Sequence, residues 1–369
     1  MKTRKFGATG LEPSMLGFGM MRLKRKEDNT IDEEWAIRTL RRAIDQGLSY
    51  VDTAYTYADS ERVTGLCLQD GYREKVTLAS KMPTQLLTCE EDFEKLLDEE
   101  LERLQTDHID MYLLHAMNRK RWENYVLKYH VLEHMERAKA AGKIRHIGFS
   151  FHDSLDIFEM ILNSFDHWDF CQIQLNYMDT DYQAGLRGLE MAHAKGLAVV
   201  VMEPMRGGKL ANVPEQVAKL LPFSPVESAL DFLWNREEVN VVLSGMNEWE
   251  QVEQNLAYAD RAEVGMLNEQ QLASYAKAAD EMRAYLSIPC TSCHYCDCCP
   301  REIAIPEIFA ISNKLQVDGD LHTAEAAYRE LSYHRADACV HCHACEAQCP
   351  QQIGIVDLLA QLHKRLRGY

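Results

Sequence analysis

Val51-Asp-Thr-Ala-Tyr-Thr-Tyr57 follows directly on the apolar run Leu48-Ser-Tyr-Val51, so an acid (Asp52) and a phenol (Tyr57) stand just past a strand-like segment. The next apolar run, Val76-Thr-Leu-Ala-Ser80, ends on Lys81, and the one after it, Ile109-Asp-Met-Tyr-Leu-Leu114, ends on His115. In a parallel β/α barrel every strand ends on the same face, and active sites are built there. The pattern therefore predicts Asp52, Tyr57, Lys81 and His115 in one pocket, although the chain separates them widely.

The four types make chemical sense together. A free phenol titrates near 10 and is a poor acid at neutrality. A Lys81 cation would lower that value, and Asp52 would orient and neutralise the lysine. His115 could fix a substrate oxygen through a second hydrogen bond. Taken singly, each has a structural explanation: a strand-end ion pair, a buried phenol, a core imidazole. The ordered set on consecutive strand ends points instead to a site.

Working outward, short β-rich runs alternate with helical patterns from Met1 to about Ala262, as in an α/β fold with a parallel sheet. The strand candidates are Met15–Phe18, Tyr50–Thr53, Val76–Ser80, Ile109–Leu114, Ile144–Phe149, Phe170–Leu175, Ala198–Met202 and Asn240–Ser244. Helix candidates include Asp32–Gln46, Trp122–Ala141, Gln183–Ala194 and Pro225–Arg236. Eight strands are the number a TIM (β/α)8 barrel needs. The acidic stretch Glu90–Glu102 reads as a solvated helix face above Phe93, Leu96, Leu97 and Leu101.

Asp-Thr-Ala-x-x-Tyr followed by a strand-end Lys and a strand-end His resembles the aldo-keto reductase family. Phe6-Gly-x-Thr-Gly-Leu11, Leu16-Gly-Phe-Gly19 and Ile147-Gly-Phe-Ser150 strengthen the resemblance, which extends over about residues 1–260. It implies a TIM barrel that binds a nicotinamide cofactor without a Rossmann fold. Tyr57 would be the acid, Lys81 and Asp52 its modulators, and His115 the group that orients substrate. Ser150 and Gln172 would hold the nicotinamide carboxamide, with Gly19, Met20 and Met21 lining the cofactor. Gln172, Gln174 and Asn176 share one face of the sixth strand, although the last two also fit a buried amide ladder. After strand seven, Met205, Arg206, Gly207 and Lys209 supply backbone N–H groups and charge for phosphate.

The sequence departs from the family pattern in three respects. Met202 replaces the aromatic residue that stacks on the nicotinamide, and Phe151 replaces an amide. Gly245 and Gln251 stand where NADPH-using relatives carry a basic pair, with Glu248, Glu250 and Glu253 nearby. Carboxylates serve a phosphate dianion poorly, so the segment favours NADH over NADPH. Asn247, Gln251, Gln254 and Asn255 remain candidate contacts for the adenosine half.

The net charge of −17 argues against nucleic acid or an anionic membrane as partner. No long apolar segment or secretory leader is evident, which predicts a cytoplasmic protein. Of twelve cysteines, nine fall between residues 290 and 349; the scattered Cys67, Cys89 and Cys171 read as inert. Cys290-x-x-Cys293-x-x-Cys296-x-x-Cys299-Pro300 and Cys339-x-x-Cys342-x-x-Cys345-x-x-x-Cys349-Pro350 match the run of bacterial dicluster ferredoxins, in which each group's fourth cysteine ligates the other cluster. One [4Fe–4S] cluster would take Cys290, Cys293, Cys296 and Cys349; the other would take Cys339, Cys342, Cys345 and Cys299. Structural zinc with His294, His341 or His343 is the competing assignment, and Cys298 is a bystander.

The expected organisation is a barrel over 1–265, a connecting helix over 266–288, and a small, mainly helical dicluster ferredoxin-like domain over 289–369. The expected activity is redox interconversion of a small carbonyl or alcohol substrate with NAD(P)H, the clusters exchanging electrons with a one-electron partner. Hydride carries two electrons and each cluster one, so direct coupling would call for a flavin, for which no residue pattern speaks. Two alternatives stay open: structural clusters beside an ordinary reductase, or an electron-transfer protein with an impaired barrel.

Overall fold

The structure is a computed structural model and describes residues 1–367. Eight parallel strands close a barrel in chain order: β1 (Leu16–Gly19), β2 (Tyr50–Asp52), β3 (Thr77–Met82), β4 (Ile109–Met117), β5 (Ile144–Phe151), β6 (Phe170–Gln174), β7 (Ala198–Met202) and β8 (Val241–Ser244). β8 returns to β1 through Leu16↔Val242 and Phe18↔Ser244. Along the chain run helices α1 (Glu33–Asp45), α2 (Ser60–Cys67), α3 (Asp92–Leu104), α4 (Arg119–Arg121), α5 (Val131–Ala140), α6 (Leu155–Asn163), α7 (Gly185–Ala194), α8 (Glu215–Ala218), α9 (Pro225–Trp234) and α10 (Trp249–Arg261).

Strand alternation decides what the barrel holds. Tyr50, Ala79, Met111, Leu113, Phe170, Ala198, Val200, Val241 and Leu243 form its apolar filling with Phe6. Two residues further along their strands, on the same face, come Asp52, Lys81, His115, Gln172 and Met202. The packed layers thus lift a ring of polar groups to the C-terminal mouth.

Several elements differ from expectation. β3 and β4 run past their predicted ends, so Lys81 and His115 lie within strands. β4 shifts register between Leu114 and Met117, where Ala116 takes φ 52°. The expected helix over 122–141 is divided: a π-helical stretch, Trp122–Leu127, precedes α5, and His130 between them is left-handed at φ 47°. The acidic face of α3 is not wholly solvated, because Glu100 is fully buried. Its carboxyl accepts hydrogen bonds from the hydroxyls of Ser80 and Tyr112 and shares a hydrogen bond with Glu61, which satisfies it away from water.

The chain forms two compact units. The first comprises Met1–Pro204 and Glu227–Asn268; the second comprises Met205–Val226 and the chain from Glu269 onward. The second adds α11 (Glu269–Arg283), α12 (Ile305–Asp318), α13 (Leu321–Glu330), α14 (Ala344–Gln348) and α15 (Ile355–Leu366). Its core joins Ile305, Ile308, Phe309, Tyr328, Ile355, Leu359 and Leu366, so the amphipathic tail packs within this unit. The segment after β7, expected as a barrel loop, belongs to this second unit, as does α11. Among the described residues no helix is long and apolar enough to cross a membrane.

Candidate functional site

The barrel mouth brings the four predicted residues together. The Lys81 ammonium donates to both Asp52 oxygens, at 2.7 and 2.8 Å, and to the Thr53 carbonyl at 2.6 Å. It lies over the Tyr57 ring, 4.8 Å from the centroid. Tyr57 meets His115 edge to face with centroids 5.6 Å apart. Lys81, Asp52 and His115 are buried, whereas Tyr57 is partly exposed. A partly open phenol above a buried cation can reach a ligand.

Electrostatics follow from burial. Desolvation raises the Asp52 carboxyl, and Lys81 opposes that shift. Desolvation holds His115 well below the usual imidazole range, and the cations of Lys81 and Arg121 push the same way. His115 is therefore neutral at pH 7, with one ring nitrogen able to donate. Its Nδ1 is 3.2 Å from Thr56 Oγ1, and the Arg121 guanidinium donates to its carbonyl at 2.8 Å. Beside it, burial lowers His152 to about 4. Thr56, Arg121 and His152 were not singled out in the sequence; a histidine just after β5 was the one available signal.

Around this ring lie the expected nicotinamide contacts. Gln172 donates to Met202 Sδ at 3.5 Å, while its buried Oε1 has no partner among the described residues. An orphaned amide oxygen beside a thioether suits a carboxamide N–H. Ser150 Oγ accepts the Ala116 N–H at 2.7 Å. Gln174 and Asn176 both donate to Asp179, and Asn176 also to the Glu203 carbonyl, so these two are structural. Phe151 is buried edge-on against Phe158 of α6, 5.1 Å between centroids. The strand's alternation turns it away from the mouth. Gly19 ends β1 and Met20 and Met21 follow it, the Met20 carbonyl accepting from the Ser60 hydroxyl.

The start of α10 differs from its acidic appearance. Lys24 pairs with Glu248 at 2.9 Å and Arg42 with Glu253 at 3.4 Å. Arg22 lies along Gly245, where an added Cβ would come 3.2 Å from the Arg22 side chain, and its guanidinium is 3.9 Å from Glu203. The carboxylates expected to repel phosphate are thus largely countered by cations from the N-terminal segment. Gln251 accepts the Asn247 N–H at 3.0 Å, and buried Asn255 donates to Ser244 at 2.9 Å; Gln254 is exposed. Met205, Arg206, Gly207 and Lys209 lie in the second unit.

In that unit Cys290, Cys293, Cys296 and Cys349 line one small cavity together with Ile305, Phe309 and Ile353. The Ser292 N–H points at Cys290 Sγ, 3.4 Å away. Burial raises the Cys345 thiol to about 11, and Cys299 is near enough to add to this. The loops repeat each other: left-handed residues fall at Ser292, His294 and Glu302 in one and at His341, His343 and Gln352 in the other. Such conformations gather N–H groups around an anion. Among the described residues no three His, Cys, Asp or Glu side chains converge on a single-ion site. Cys298 is exposed and contacts the Ala344 carbonyl.

Comparison with known proteins supports the barrel's identity. The chain is 32% identical over 161 residues to the aldo-keto reductase YhdN of Bacillus subtilis, a match covering 41% of this chain and 47% of that one, so the chain spans about half the length of this relative. An aldo-keto reductase from Bacillus halodurans in its holo form superposes with TM-score 0.64 at 25% identity, over 75% of this chain and 96% of that one. An aldo-keto reductase from Klebsiella pneumoniae in complex with NADPH shares the fold, with TM-score 0.62 at 24% identity over 75% and 94% of the two chains. The aldo/keto reductase family model matches residues 15–280, and with this match over most of its length the chain belongs to that family.

Proposed function

We propose that the protein is an NAD(P)H-dependent oxidoreductase interconverting carbonyl and alcohol groups of a small molecule, and that its second unit carries two [4Fe–4S] clusters exchanging electrons with a one-electron partner. The observation that carries the barrel half is the buried Lys81, bound by Asp52 and lying over Tyr57. When bound, the nicotinamide would supply a hydride and the clusters single electrons. The chain's own residues do the rest. Tyr57 gives a proton to the substrate oxygen, Lys81 stabilises the phenolate left behind, and neutral His115 orients that oxygen. Gln172 would hold the carboxamide through its unpartnered Oε1.

Both nucleotides fit part of the chain. Gly245 and Gln251 favour NADH, whereas Arg22 beside Gly245 offers a cation to the 2′-phosphate of NADPH, the nucleotide bound by the Klebsiella protein. For the clusters, support comes from the cavity that unites three cysteines of one group with the fourth of the other, and from N–H groups turned toward sulfur. A cube places each thiolate on its own iron, whereas zinc draws its ligands onto one centre.

The test is anaerobic EPR before and after NADH or NADPH, with iron and sulfide counted on the same sample, beside carbonyl turnover by wild type and Tyr57→Phe. About eight irons per chain and collapse of turnover in Tyr57→Phe are expected. A Tyr57→Phe protein that reduces carbonyls normally would sink the mechanism. Protein prepared anaerobically without iron would sink the clusters.

A further inference from the structure

We propose that Tyr328 is a positioning residue of the second cysteine set and that, through His363, it ties reduction of the cluster held there to uptake of a proton. The inference rests on the reading of the cysteines given above and lies wholly within the second unit.

Each cysteine loop is gripped just upstream by one buried polar side chain. Ahead of Cys290, Asn313 of α12 pairs with the main chain of Ile288, accepting its N–H at 3.0 Å and donating to its carbonyl at 2.9 Å. Ahead of Cys339, Tyr328 of α13 accepts the Ala336 N–H at 3.0 Å, and the Ala336 carbonyl in turn accepts the Cys339 N–H at 3.1 Å. The two grips differ chemically. The Asn313 amide takes up no proton near neutrality. The Tyr328 oxygen, by contrast, also lies 2.9 Å from Nδ1 of His363 on α15, and an imidazole is the side chain that titrates between about pH 5 and 8.

The directions of these bonds follow from their donors. The phenol oxygen already accepts from Ala336, so its own proton goes to Nδ1, and the neutral imidazole carries its hydrogen on Nε2. Tyr328 is fully buried and burial raises its phenol, so it keeps its proton. His363 is half-buried and open to exchange with water. A proton taken from water forms the Nδ1–H bond and reverses the contact: the imidazolium donates, and the Tyr328 oxygen accepts from it and from Ala336. One positive charge then stands at the far end of the hydrogen bonds that lead to Cys339. An electron delivered by the one-electron partner adds one negative charge at the cluster, and the two charges favour each other reciprocally.

Other charges surround the pair. Arg335 and Asp337 act on Tyr328 in opposite senses, and Glu325 lies on α13 one turn before it. Glu346 of α14 pairs with His343 and accepts the Val356 N–H at the start of α15. The charged side chains of α12, and Lys364 and Arg365 of α15, are exposed. His334, His341 and His343 stand nearer the second set in sequence, so the test removes His363 itself.

Full-length, anaerobically prepared wild type, His363→Gln and Tyr328→Phe are titrated with dithionite under EPR at about pH 6 and 8, with iron and sulfide counted. Cys349→Ser, which keeps only the second cluster, identifies that cluster's signal. At a fixed solution potential near the midpoint, the ratio of reduced to oxidised second cluster in wild type should be about fivefold or more higher at the lower pH. The first cluster should change less. With iron at the wild-type count, His363→Gln should lose the pH dependence. Tyr328→Phe should lose it too and alter the line shape of the second cluster alone, because the Ala336 N–H is left without its acceptor. If Tyr328→Phe loads poorly, His363→Gln carries the test. A second cluster whose reduction ignores pH in fully loaded wild type overturns the proposal and leaves the cluster reading standing, as does a pH dependence that persists in His363→Gln. Wild type that holds no iron removes both.

Discussion

Lys81 lies over the face of the Tyr57 ring, 4.8 Å from its centroid, while its hydrogen bonds go to Asp52 and the Thr53 carbonyl. In the proposed mechanism the lysine would act on the phenol through its field, and its burial is matched by Asp52. Lys81→Met should lower kcat by about a hundredfold or more. It should also destabilise the barrel by roughly 3–5 kcal/mol, since Asp52 stays buried without its cation. Adding Asp52→Asn should restore much of the stability and none of the turnover. Denaturant melts beside steady-state rates separate the two effects; a double variant as unstable as Lys81→Met would show that the pair is not the cause.

Glu61 and Glu100 form a buried acid pair behind Ser80. Burial raises both carboxyls, Glu100 well above its usual range, and Glu61 adds to the shift of Glu100. The folded chain then binds more protons than the unfolded one from the ordinary carboxylate range upward. Stability should fall as pH rises through that window. Glu100→Gln keeps an acceptor for Ser80 and Tyr112 and removes the proton, so its melting temperature should decline less between pH 5 and 8 (about one ordinary carboxyl unit to well above it). Parallel wild-type and variant melting curves across that range would rule this out.

His115 carries the opposite sign. Its folded pKa is depressed by burial, so below the ordinary value of about 6.5 the unfolded chain takes up the extra proton. Stability is present above that value and is lost as pH falls below it, toward the depressed folded value. His115→Asn should flatten this acid-side slope. Turnover in wild type should show no ionisation near 6.5 assignable to His115, which a pH–rate profile will reveal.

Arg22 runs along Gly245 toward Glu203, and in the proposed NADPH reading it would meet the 2′-phosphate. Arg22→Ala should raise KM for NADPH about tenfold and change KM for NADH little, a charge-assisted hydrogen bond being worth about that much. If the ratio of the two KM values does not move, the phosphate is held elsewhere or not at all.

Cys349 shares a cavity with the first cysteine group. Cys349→Ser and Cys299→Ser should each cut iron from about eight to about four per chain while sparing a different cluster, giving two distinct EPR spectra. Identical residual spectra would mean that the closing cysteines do not cross between groups.

Much of the barrel was legible because strand alternation and strand-end residues are local signals. Asp52, Lys81 and His115 needed only the polarity change at the end of an apolar run. The exact end of β4 was hidden, since the shift at Ala116 has no residue signature. Arg22 was missed because its relation to Gly245 joins opposite ends of the barrel sequence, through the closure of β8 on β1. Glu100 looked solvated because acidic neighbours surround it; only its partners on other elements, Ser80, Tyr112 and Glu61, explain its burial. The membership of Met205–Val226 in the second unit depends on contacts such as Gly207 with Thr291, which no pattern within the segment announces.

The crossing of Cys349 into the cavity of the first group bears on how the protein is made. A chain leaves the ribosome N-terminus first, so Cys290, Cys293 and Cys296 emerge long before their fourth partner. The second group, for its part, waits for nothing but its own three cysteines, because Cys299 is already out. With this ligand assignment, the set synthesised first is the last to be complete. Were iron delivered to the cavity beside Thr291, its full set of ligands would exist only once Cys349 had been made, after every residue of the barrel.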